Sequence, residues 1–162
     1  MEDEFLKVVK EISGRLTERG LRLSVAESCT GGLISHAITN LPGASKFFEM
    51  AVVSYSDRSK KSTLGISSYL LKKHGSVSEE AAIAMAKGVR KLADSDVSLS
   101  ITGVAGPEPL EDKEVGVVYM AATVKDIVES KGISLQGDRE TIKRDASLEA
   151  LKFLNQVMRL WL

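Results

Sequence analysis

The stretch VAESCTGGLI, Val25 to Ile34, sets two hydroxyls and a thiol (Ser28, Cys29, Thr30) between an apolar run and a pair of glycines, Gly31 and Gly32. Two chemistries suit such a packet. A serine on a sharp strand-to-helix turn can attack a carbonyl once a base removes its proton, and glycines at a helix start let a phosphate or an oxyanion approach backbone N–H groups. A third reading is purely local: Ser28 and Thr30 cap a helix. The placement is that of a nucleophile elbow, although ESCTG does not match G-x-S-x-G. Neither GxxxxGK[ST] nor GxGxxG occurs, which excludes the common phosphate loops. Cys29 could act as a thiolate at a helix start, but a lone cysteine beside a strand end is more often a small buried hydrophobe, and burial is the reading favoured.

A serine nucleophile needs a base. His36 falls on a helical stretch and His74 precedes a turn, so neither sits in a loop that could face Ser28. A lysine can serve if burial or neighbouring cations depress its pKa. Lys60 and Lys61 lie together near Tyr55. Their alternative is a solvated basic surface. Arg139 follows Asp138, a candidate helix cap, and offers a planar fork to a phosphate or else a surface ion pair; Arg58 and Lys143 share those two readings. The single cysteine and the two histidines make no metal-ligand spacing, so no metal and no cofactor is expected.

The elements that must position these residues follow from periodicity. Phe5, Val8, Val9, Ile12 and Leu16 stripe a helix over Glu4 to Glu18, stopped by Gly20. LRLSVAE alternates as a strand, and from Gly32 the period turns helical as far as PG at Pro42 and Gly43. FFEMAVVSY reads as a largely buried strand followed by the polar stretch SDRSKKS. Two short helical pieces follow, the second being SSYLLKKHG with Ser67 as its cap. Ser78 caps a longer helix with Glu79 and Glu80 in its first turn. VSLSITG and VGVVYMAATV are strands, DIVESKG is a return, and ISLQ is a weaker strand, the short return favouring an antiparallel pair. Asp138 opens a last helix. The order implies an α/β protein, a three-layer α/β/α sandwich with a mixed sheet. The loops ESCTGG, SYSDRSK, TGVAGP and GDRE should gather at one rim.

At 162 residues one domain spanning 1–162 is expected. Its 22 basic and 22 acidic residues cancel, which argues against nucleic acid as a partner. No apolar run suits a membrane span, and the acidic, amphipathic MEDEFLKVVKEI is unlike a signal peptide, so the expectation is a cytoplasmic protein. A homo-oligomer is expected, because a small α/β domain often completes a crevice with a neighbour.

Taken in order, VAESCTGGL, LPGASKFFE, VVSYSDRSKKSTLGIS, HGSVSEEAA, SITGVAGP, VGVVYMA and GDRETIKRDA resemble the blocks of the CinA C-terminal domain family, whose enzymatic members are nicotinamide-nucleotide amidases. The resemblance covers almost the whole chain. It implies hydrolysis of the carboxamide of nicotinamide mononucleotide, releasing ammonia, with Ser28 and Lys60 as a dyad and Tyr55 beside them as a relay. It also brings Ser45 and Thr102 to the site. Backbone N–H groups at Thr30 to Gly32 or Thr102 to Gly103 would hold the oxyanion, and Arg139 the phosphate. The chain is expected to be a stand-alone version, without the additional N-terminal domain of longer family proteins. In one block it departs from the pattern: after AGP, where many active members carry GG and then KPVG, it reads EPLEDKEVG. Glu108, Glu111 and Asp112 would repel a nearby phosphate, which keeps a second expectation open, a catalytically silent nucleotide-binding or interaction domain.

Overall fold

The computed structural model describes residues 2–162. The chain runs α1 (Glu2–Arg19), β1 (Leu23–Glu27), α2 (Leu33–Thr39), a 3-10 turn (Ala44–Lys46), β2 (Phe48–Val53), α3 (Asp57–Leu64), α4 (Ser68–His74), α5 (Glu79–Ala93), β3 (Val97–Gly103), β4 (Val117–Val124), β5 (Ile127–Ser134) and α6 (Arg139–Trp161). The strands form one sheet in the order β2-β1-β3-β4-β5. β1 pairs parallel with β2 and β3, while β4 is antiparallel to β3 and β5. Helices α1, α2 and α6 pack on one face, and α5 with α3 and α4 on the other, giving the expected α/β/α sandwich.

Alternation along β3 explains how the two layers differ. Val97, Leu99 and Ile101 enter the large core beneath α1 and α6. Ser98, Ser100 and Thr102 face the other way, and all three are buried. Burying a hydroxyl is unfavourable unless it is hydrogen-bonded. Ser98 donates to the Ala86 carbonyl at 2.7 Å, Ser100 to that of Ala82 at 2.5 Å, and Thr102 to that of Ser76 at 2.8 Å. This row of short side chains lets α5 lie close to the sheet.

Three sequence expectations are corrected. β2 is an edge strand and not largely buried: its apolar run pairs only with β1, which leaves Glu49 and Val53 exposed. SYSDRSK is not a loop throughout: α3 begins at Asp57 within it, because Ser56 and Ser59 close a reciprocal capping box that starts a helix. DIVESKG is not a connection either. Lys125 and Asp126 alone make the turn, Lys125 with φ 54°, and β5 begins at Ile127. Its Gly132 lies opposite Tyr119, and a Cβ there would meet the ring at 3.0 Å.

Gly88, on α5, connects the fold to the site. A Cβ there would sit 2.3 Å from the carbonyl oxygen of Leu64, at the end of α3. Alanine usually stabilises a helix by about 1 kcal/mol over glycine, but here the obstacle is backbone and must move. Gly88→Ala is expected to destabilise the protein by about 1–3 kcal/mol, as overpacked cores do. A lower denaturant midpoint with an unchanged slope would report it; an unchanged or raised midpoint would contradict it.

Candidate active site

The C-terminal ends of the parallel strands β1, β2 and β3 meet at one rim, and the turn after β1 is organised by Glu27. This carboxylate is fully buried. Its Oε2 accepts from the Thr30 hydroxyl at 2.5 Å and from the N–H groups of Gly32 at 3.0 Å and Ile34 at 3.2 Å. Its Oε1 accepts from the N–H and the hydroxyl of Ser35 at 2.8 and 2.5 Å. The free donors of the α2 N-terminus are thus gathered onto one negative charge, where the helix dipole favours it. Gly31 and Gly32, at φ 63° and 104°, make the reversal that wraps the chain around it.

Ser28 sits at the tip of this turn, 7% exposed, its N–H donating to Ile101 at 3.1 Å. Lys60, on the second turn of α3, is 1% exposed, and its Nζ lies 2.9 Å from Ser28 Oγ. Nζ also donates to the carbonyls of Ser54 at 3.0 Å and Tyr55 at 3.2 Å. Burial holds the Lys60 pKa below its ordinary value of 10.5, against weaker opposing pulls from Asp57, Cys29 and Glu111. These three partners also suit a neutral amine: two N–H groups satisfy the two carbonyls, and the lone pair is left for the Ser28 hydroxyl. The arrangement can pass a proton between Ser28 and Lys60.

Both residues line a cavity of about 270 Å³, together with Cys29, Tyr55, Thr102, Gly103, Arg139 and the segment Val104–Leu110. Arg139, the first residue of α6, reaches across the rim. One Nη donates to the Gly106 carbonyl, and the other to the Tyr55 hydroxyl at 2.9 Å. It also borders a second cavity of about 690 Å³, lined by Thr30, Gly31, Gly32, His36, Lys143 and Arg144. Burial pushes the Cys29 thiol up to about 12, which keeps it protonated and unreactive near neutral pH. Among the described residues no three His, Cys, Asp or Glu side chains cluster in a way that could hold a metal ion. No helix there is long and apolar enough to cross a membrane.

Several residues named from the sequence stand elsewhere or act differently. The Tyr55 hydroxyl is held by Arg139, and only its carbonyl meets Lys60, so Lys60 reaches Ser28 with no tyrosine between them. The Thr102 hydroxyl is spent on Ser76. A Cβ on Gly103 would meet the Val117 carbonyl at 2.9 Å, so that glycine serves the packing against β4. Ser45 is exposed on the 3-10 turn before β2, with its carbonyl held by Arg22 at 2.9 Å. That is the opposite rim, the length of β1 away from Ser28, roughly 16 Å at strand rise. Thr30 and Gly32 are committed to Glu27, and the Gly31 N–H to the Ser28 carbonyl at 3.1 Å. The N–H groups of Cys29 and Thr30 are the donors of this turn that are committed neither to Glu27 nor to a backbone carbonyl among the described residues.

Residues 6–158 match the CinA C-terminal domain model. The chain belongs to the CinA C-terminal domain family. A CinA-like protein of Syntrophotalea carbinolica is 41% identical over 148 residues, covering 91% of this chain and 36% of that protein. The chain thus spans a little over a third of the length of such curated relatives. Among solved structures, the competence damage-inducible protein A (ComA) from Klebsiella pneumoniae superposes with a TM-score of 0.94 at 33% identity, covering 98% of this chain and 99% of that one. The competence/damage inducible protein CihA from Agrobacterium tumefaciens gives 0.91 at 30% identity, covering 96% of each.

Within this CinA domain, sequence reasoning missed Glu27, Ser54 and Ser76. The usable signal for Glu27 was an acid closing an apolar strand just before a glycine pair and a helix; Ser54 meets Lys60 through its backbone carbonyl, and Ser76 uses its N–H, carbonyl and hydroxyl, none of which spacing marks. Glu27→Gln keeps the shape but replaces an acceptor oxygen with an NH₂ that faces N–H donors. It is expected to cost about 3 kcal/mol, within the range for buried hydrogen bonds to a charged group. Thermal unfolding read with α2 amide exchange checks this, and an unchanged melting temperature would contradict it.

Proposed function

We propose that this chain is a hydrolase of the carboxamide of nicotinamide mononucleotide, with Ser28 as nucleophile and Lys60 as its base. The single observation that carries the reading is the 2.9 Å contact between Ser28 Oγ and the Nζ of a lysine that is 1% exposed. Family membership supports the substrate class, since the family includes nicotinamide-nucleotide amidases.

Neutral Lys60 takes the Ser28 proton as Oγ attacks the carboxamide carbon. The carbonyl oxygen becomes an oxyanion, for which the N–H of the residue after the nucleophile, Cys29, is the natural donor. Collapse breaks the C–N bond, and Lys60 returns its proton to the leaving nitrogen, releasing ammonia. Water, deprotonated by Lys60, then attacks the acyl-enzyme; the C–Oγ bond breaks, Lys60 returns that proton to Ser28 Oγ, and nicotinate mononucleotide leaves. The two cavities that share Arg139 differ in charge. Arg139 and Lys143 border the second cavity, on the Gly31–Gly32 side, while Glu108 lines the Ser28 cavity. The phosphate therefore faces the basic side, and the cationic pyridinium the acidic one.

The decisive measurement is ammonia and nicotinate mononucleotide release. Ser28→Ala should lower kcat by more than about a thousandfold, and Lys60→Met by about a hundredfold to ten-thousandfold, each with an unchanged circular dichroism spectrum. Full turnover by either folded variant would sink the dyad.

The pH dependence has a definite sign. The working form of Lys60 is the neutral amine, so kcat/KM should climb as pH rises through the Lys60 pKa and then level off. The half-point should fall below 10.5, because burial depresses that pKa. A rate that falls with rising pH over this limb would contradict Lys60 as base.

The acidic hairpin at Glu108–Asp112 favours a second reading, nucleotide binding without turnover. Calorimetric binding of nicotinamide mononucleotide by a protein that releases no ammonia would select it.

A further inference from the structure

The segment between Gly106 and Gly116 leaves the sheet and returns to it. Its two ends are pinned together, since the Val104 N–H donates to Val117 at 2.9 Å and the Gly116 N–H to Val104 at 2.7 Å. Both flanking glycines have left-handed backbones, at φ 87° and 94°. Between them, Pro107 through Asp112 are all exposed, yet Pro107–Leu110 also form one wall of the Ser28 cavity. The tip is a two-residue hairpin turn in which Leu110 and Lys113 exchange hydrogen bonds at 3.1 and 2.8 Å. Its central residues, Glu111 and Asp112, take φ 54° and 60°, a conformation that suits Asn-Gly and penalises other side chains.

One side chain fastens this strained tip to the body of the protein. Glu111 accepts from the Ser76 N–H at 3.1 Å, the Ser76 hydroxyl at 2.7 Å and the Val77 N–H at 3.0 Å. Gly75 makes room for it: a Cβ there would lie 2.4 Å from Glu111 Oε2. Ser76 is held in turn by Thr102 of β3, whose hydroxyl grips its carbonyl beside the cavity.

We infer that the 107–115 segment is a lid over the Ser28 cavity, hinged at Gly106 and Gly116, and that Glu111 is the positioning residue that clasps it shut. The clasp opens to admit the nucleotide and closes to set the Leu110 wall against it. This use of the lid rests on the amidase reading above; the clasp itself does not.

Hydrogen exchange followed by mass spectrometry on the full chain tests the clasp without recourse to activity. In Glu111→Ala, amides at Ser76, Val77 and 108–113 should exchange roughly tenfold or more faster, as expected when a local opening is eased, while β1 and β3 keep their protection. Glu111→Gln, which retains one acceptor oxygen, should fall between. Wild-type exchange at these amides in Glu111→Ala would overturn the inference. With nicotinamide mononucleotide as substrate, Glu111→Ala should raise KM several-fold with kcat within about twofold. A kcat that falls while KM holds would place Glu111 in the chemistry through Lys60 and overturn the lid. Faster exchange in a protein whose wild type shows no turnover would leave the lid standing and remove the amidase reading.

Discussion

The turn after β1 depends on a buried negative charge being satisfied without a cation. Glu27 is sealed from solvent and answered by N–H and O–H donors, most of them at the start of α2. A bare carboxylate would be prohibitively unfavourable there, so the chain must curl tightly enough to bring its donors to both oxygens. That curl fixes Ser28 at the tip, commits Thr30 and Gly32 elsewhere, and leaves Cys29 packed against the core. A motif that looks built to receive an anion is in fact filled by the protein's own.

Opposite it, Lys60 is governed by the same scarcity of solvent with the opposite sign. A lysine whose amine meets two carbonyls and a hydroxyl, and no carboxylate, is held where its charge is least welcome. The helix that carries it rests on Gly88 of α5 through the carbonyl of Leu64. Alpha-5 rests in turn on the serine row of β3. The nucleophile's neighbour is therefore positioned by packing on the far side of the sheet from the core that holds α2.

How far the sequence discloses this varies with how local the cause is. The helical stripes of α1 and α6, the caps at Ser67, Ser78 and Asp138, and the alternation of β3 are local patterns, and each of these elements forms where the pattern places it. Conversely, whether FFEMAVV lies at an edge depends on which strands flank it, and its own residues do not say. DIVESKG looked like a connection because its polar residues belong to the last strand of the sheet, which meets solvent along much of its length. At the site, Ser28 and Lys60 were legible through the ordered blocks of a family, and the structure brings them together. The placement of Ser45 on the far rim, and the diversion of the Thr102 and Tyr55 hydroxyls to Ser76 and Arg139, follow from three-dimensional partners that spacing cannot reveal.

Arg139 is the first residue of the last helix, yet its guanidinium spans Tyr55 and Gly106 at the mouth of the cavity. The rim is thus closed by a residue that arrives after every strand has been made, and it is held in place by a helix that runs to Trp161. During synthesis, Ser28 and Lys60 leave the ribosome long before the element that completes their surroundings has docked. A nascent chain can carry the pair without carrying a finished pocket. Completion of the pocket is therefore tied to completion of the fold, since the side chain that joins its two walls is anchored by the final helix.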